Sequence, residues 1–137
     1  MLNHRRHCLP PSQIAATIVA ASSFAAKFYM SFAFRSKMQG KSAEEVKKIR
    51  DSKEFQNASG AQLNDAEYAP WLLATSLYFA ATNNSSTAVT VAGTLGAYGT
   101  VAYCWGRIGG LPAGVVISGA LSRYAAMGAT VYALASQ

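Results

Sequence analysis

Beyond Glu54 the chain carries four formal charges, Asp65, Glu67, Arg107 and Arg123, with Lys27 isolated in an apolar run upstream. The acids sit in a compact polar string, Gln62-Leu63-Asn64-Asp65-Ala66-Glu67-Tyr68-Ala69-Pro70, between long apolar stretches. An unpaired charge in such a setting costs roughly 2.5–3.5 kcal/mol even on a lenient membrane-insertion scale, so these groups should be paired or wet. Lys27, Asp65, Glu67 and Arg123 are therefore expected as intramembrane charges, with Glu67 facing Arg123 or Lys27 from a neighbouring helix. An ion pair serving assembly and a ligand site weigh equally in that reading. Other chemistries are poorly served. There is no phosphate loop, no Ser/His/Asp arrangement and no histidine after His7 to act as a base. His4 and His7 stand at i, i+3 without the further ligands a metal needs, so no metal site is expected.

The elements that must position these residues are apolar and long. The chain has 137 residues, 51% hydrophobic and 13% charged, enough for one domain and too apolar for a disordered one. Cys8 and Cys104 cannot make a disulfide scaffold. Helices are expected at about 13–34, 43–81, 87–105 and 113–135, behind an N-terminal arm at 1–12, so that 13–137 form a single four-helix membrane domain. The first run gives about 33 Å of helix, the thickness of a bilayer core. The third and fourth lack the polar stripe of a soluble helix, and Gly93, Gly96 and Gly99, with Gly114 and Ser118, suit close packing in a membrane. These features weigh against an Ala-rich soluble bundle. Arg35 and Lys37 follow the first run directly, which weighs against a cleaved leader.

Most of the net charge of +6 falls between Arg35 and Lys53. Ser42 with Glu45 makes a capping box at the start of the second helix, and the alternating charges after it read as a solvated face. With no aromatics interleaved there, nucleic acid is not an expected partner. The excess of Lys and Arg in the first and third loops places them on the cytoplasmic, matrix or stromal side.

The polar string resembles the second-helix signature of the MAPEG family, membrane-associated proteins of eicosanoid and glutathione metabolism, whose usual form is R-A-x-x-N-D-x-E-x-x-P. Ala61, Asn64, Asp65, Glu67 and Pro70 fit it. Lys27, the basic first loop, the run Gly99-Thr-Val-Ala-Tyr103 and Gly109-Gly-Leu111 extend the likeness to the microsomal glutathione transferases over nearly the whole chain. The resemblance implies a four-helix bundle, trimeric assembly and glutathione held between adjacent subunits by Asn64, Glu67, Gln62 and Arg107. It also implies that Pro70 bends the second helix and frees a carbonyl near the site.

Three of the family's arginines are missing. Their places fall on Gly60, Thr100 and, on or near, Val116, while Arg107 stands where the family has a tyrosine. Glutathione carries two carboxylates and reacts as a thiolate, and fixed cations are what bind the former and lower the pKa of the latter. The expectation is an all-α integral membrane protein, a MAPEG-like four-transmembrane-helix bundle with a degenerate glutathione site, serving as an accessory or structural subunit of a larger membrane complex. The alternative is a membrane-bound glutathione transferase or peroxidase acting on apolar electrophiles or lipid hydroperoxides, with Arg107 as its candidate catalytic cation and glutathione as its cofactor. Membrane lipids, and either other subunits or two further copies of the chain, are the expected partners. Mitochondrial, plastid and endoplasmic reticulum membranes stay open.

Overall fold

The computed structural model describes residues 9–137; His4, His7 and Cys8 lie outside them. The described residues form helices α1 (Pro11–Tyr29), α2 (Arg35–Met38), α3 (Ala43–Asp51), α4 (Lys53–Ala81), α5 (Thr87–Ile108) and α6 (Ala113–Ala135), with a π-helical turn, Met30–Phe34, joining α1 to α2. Among them there is no strand. Four long rods result: α1 with its extension to Met38, α4, α5 and α6.

Several boundaries differ from those expected. The first helix starts at Pro11, because proline at the first helical position loses nothing by lacking an amide hydrogen. It runs past residue 34 to Met38, absorbing an extra residue in the π turn. The second expected helix is two helices. The Ser42–Glu45 capping box opens α3, but Ser52 turns extended (ψ 144°), and its hydroxyl accepts a 3.2 Å bond from the Phe55 amide to cap α4 afresh. α4 then continues through Pro70 to Ala81, and α5 runs three residues further than expected, to Ile108.

α5 packs against α1, α4 and α6, while α6 lies along α5 and reaches α4 at few points. The interior is built from small side chains. Ala15, Ala16, Ala26, Ala58, Ala61, Ala97, Ala102 and Ala126 are buried, with Val19, Leu72, Phe34 and Phe79 as the larger members. Gly96 packs on Leu72, and Gly106 on Val116, so closely that a Cβ at either would press on the neighbouring methyl at 3.1–3.2 Å. Large apolar side chains point outward instead: Phe24 is 71% exposed, Leu63 67%, and Phe32, Ile117, Leu121 and Val131 are also exposed. Phe24, Phe28 and Phe32 stack in a ladder along α1. Small inside and large outside is the pattern of helices packed in lipid, where burying bulk gives no hydrophobic gain and close backbone approach does the work. Among the described residues one helical run, Pro11–Met38, has both the length and the mean hydropathy, 1.3, of a membrane-crossing helix. The other rods are long, but α5 and α6 are richer in Gly, Thr and Tyr and α4 carries Lys53, Glu54, Asp65 and Glu67.

Candidate functional site

α4, α5 and α6 converge on Arg123, whose side chain is almost fully buried. Its Nη2 lies 3.3 Å from Asp65 Oδ1 and donates to the Thr100 carbonyl at 3.5 Å. Its Nη1 donates to Asn64 Oδ1. The guanidinium lies over the rings of Tyr103, at 4.7 Å from the centroid, and of Tyr68, at 5.7 Å. Arg123 Nε and the Thr100 hydroxyl oxygen have no partner in this cluster.

The backbone makes room for this cation. A Cβ on Gly99 would fall 2.8 Å from Arg123 Cγ and 2.8 Å from the Gly119 carbonyl. One on Gly119 would run into the backbone of Ala102 and Tyr103. Gly99 abuts the turn of α6 from Gly119 to Arg123, and Gly119 abuts Ala102 and Tyr103 of α5, so the two helices touch backbone to backbone. Tyr68 extends the cluster outward: its hydroxyl donates to that of Tyr124 at 2.9 Å, and the rings meet edge to face.

Glu67 does not face Arg123, contrary to expectation. It follows Asp65 by two residues, which is about 200° around a helix, so the two acids cannot share a face. Asp65 turns inward to α6, and Glu67 lies exposed with no cation in ion-pair distance among the described residues. Lys27 is likewise exposed on α1 and pairs with neither acid. Gln62 lies half-buried on α4 without a side-chain bond among the described residues.

Arg107 forms a second polar centre one turn along α5. Its Nη1 donates to the Tyr103 hydroxyl at 3.0 Å, so Tyr103 touches both arginines, one through its oxygen and one through its ring. The Arg107 guanidinium lies flat against Gly60: a Cβ there would be 2.8 Å from Nη2. Beside it opens a groove of about 400 Å³ lined by Lys53, Asn57, Arg107, Val116 and Ile117.

The residues brought together are thus Asn64, Asp65 and Arg123, with Arg107 joined to them through Tyr103. Tyr68, Tyr103, Tyr124 and the Thr100 carbonyl also belong to the cluster, although the sequence expectation assigns them no part in it. The i, i+4 spacing of Tyr103 and Arg107 is the signal that could have found one of them. Among the described residues no three His, Cys, Asp or Glu side chains gather as a metal site would require.

Comparison with known proteins gives one positive result. A family model described as the MAPEG family matches residues 13–135, nearly the whole chain. No curated protein and no solved structure matches.

Proposed function

The chain belongs to the MAPEG family, and from that premise we propose that it is a four-span membrane subunit whose glutathione site has become a structural polar lock. In this reading residues 13–137 are one membrane domain, crossed by α1–α2, α4, α5 and α6. Its role is that of an accessory subunit in a larger membrane assembly.

The observation that carries the proposal is the burial of Arg123 against Asp65 and Asn64 within a single subunit. In family members the asparagine and glutamate of the signature are available to a peptide ligand. Here the acceptor of Asn64 is already engaged, and the most deeply buried cation among the described residues is neutralised by a carboxylate beside it. The positions of the missing family arginines are filled otherwise. Gly60 receives the Arg107 guanidinium, Thr100 is sealed beneath Arg123, and Val116 packs on Gly106.

Glutathione fits the remaining groups only in part. Exposed Glu67 suits an ammonium, and Arg107 with Lys53 suits a carboxylate at the rim of the groove. Arg123 is already neutralised by Asp65, and a thiol with no free cation beside it keeps its ordinary pKa near 8.5. Calorimetric titration of the detergent-purified protein with glutathione, in parallel with Glu67→Gln, tests this. The expected result is no saturable heat from either protein; saturable heat from the wild type that disappears in the variant would overturn it.

A second reading rests on a specific contact, the seat of Arg107 on Gly60. It returns a guanidinium to the place where the family signature has its arginine, carried by α5 rather than α4. On that reading the chain is a transferase or peroxidase for apolar electrophiles or lipid hydroperoxides, and Arg107→Gln abolishes an activity that the wild type must first display.

A further inference from the structure

We propose that the open groove between the α1–α2 junction and α3 binds the phosphate of an anionic phospholipid, with Arg35 and Arg50 as its two cationic contacts. The groove, about 700 Å³, has an apolar base of Met30, Met38 and Val46. Phe34 and Phe55, edge to face at 5.1 Å, close its floor, and the two arginines stand on its walls. The π turn sets this up. The extra residue rotates Phe34 inward, where it is 1% exposed, and leaves the next residue, Arg35, exposed above it. Wide turns of this kind recur at functional sites because they re-aim side chains at a cost in helix hydrogen bonding.

Position, and not pairing alone, separates Arg35 and Arg50 from the other cations of the loop: Lys47, Lys48 and Lys53 also have no carboxylate in ion-pair distance among the described residues, but they do not line the groove. Lys37 is held by Glu54 at 2.8 Å and Lys41 by Glu45 at 3.3 Å, whereas Arg35 and Arg50 have no carboxylate in ion-pair distance among the described residues. A planar guanidinium offers paired donors matched to phosphate oxygens. The groove opens at the end of Pro11–Met38, the helical run with the length and hydropathy to cross a membrane, which puts it at headgroup depth. α3 has the form of an interfacial helix, with Val46 and Ile49 half-buried on one side and Lys47 and Lys48 exposed on the other. An apolar base continuous with the span suits an acyl chain; free phosphate or an acidic peptide would make no use of it. The inference rests on the membrane-spanning reading of α1–α2, which alkaline carbonate extraction of the expressed protein reads independently.

The test is native mass spectrometry of the full chain in detergent with added phosphatidylglycerol or phosphatidylcholine. Three proteins are compared: wild type, Arg35→Gln with Arg50→Gln, and Lys47→Gln with Lys48→Gln, which removes the same charge from outside the groove. Wild type and the lysine pair should retain phosphatidylglycerol over phosphatidylcholine, and the arginine pair should lose that preference by about tenfold or more. An equal loss in the lysine pair, no preference in the wild type, or full displacement of lipid by inorganic phosphate or a polyglutamate peptide would overturn the proposal. Release of the wild type by carbonate would instead remove the membrane reading beneath it.

Discussion

Asp65 and Arg123 set the energetics of the interior. Removing one member of a buried pair strands the other, which costs about 3–5 kcal/mol, whereas replacing both with apolar groups of similar size is often neutral or stabilising. Asp65→Asn should therefore lower the thermal midpoint in detergent sharply. Asp65→Leu combined with Arg123→Met should restore most of it, and a double variant no more stable than the single one would exclude a structural pair. The glycine seam makes a second residue-scale prediction. Gly119→Ala drives a methyl into the α5 backbone and should destabilise by about 1–3 kcal/mol. Gly128→Ala, with nothing near its Cβ, should be neutral or slightly stabilising, and the difference is read from the same melts. At this scale the sequence showed which residues were polar in an apolar chain, but not which acid meets the arginine. Asp65 and Glu67 are equivalent until the rotation of α4 about its axis is fixed, and that rotation is set by packing of Ala58, Ala61, Ala69 and Leu72. The contact of Arg107 with Gly60 joins residues far apart in sequence and leaves no local trace.

Helix boundaries are governed by caps, and the first loop carries two of them. The Glu45 carboxyl lies below its usual value, chiefly because the Ser42 backbone N–H donates to it and then because Lys41 adds a charged hydrogen bond. A carboxylate whose value is lowered by folding stabilises the structure above its ordinary value, and that contribution fades as pH falls through the lowered one. The protection factors of amides in the first turn of α3, taken relative to intrinsic exchange at each pH, should accordingly fall on acidification, and Glu45→Gln should flatten that dependence; an unchanged profile in the variant would place the effect elsewhere. Ser52→Ala removes the cap of α4 and should cost about 0.5–2 kcal/mol, seen as faster exchange at Phe55. The first cap was legible because Ser42-x-x-Glu45 has both halves of the box. The second was not, because Ser52 is followed three residues later by Phe55, which cannot return the bond. The π turn has no composition of its own and arises from fitting Phe34 against Phe55.

At the scale of the whole molecule, the all-helical order and the family were legible from apolar runs and one signature. The number of membrane crossings was less so, since Gly, Ser and Thr that let helices touch also lower their hydropathy. The same small residues that tighten the α5–α6 seam bury Arg123 against Asp65, and the proposed structural lock rests on that burial. The most direct measurement is the ionisation of glutathione's thiol, followed by thiolate absorbance across pH with the purified protein in excess. A structural centre predicts the same titration with and without protein. A thiol titrating at least about one unit lower in its presence, as a catalytic cation would produce, would contradict the account.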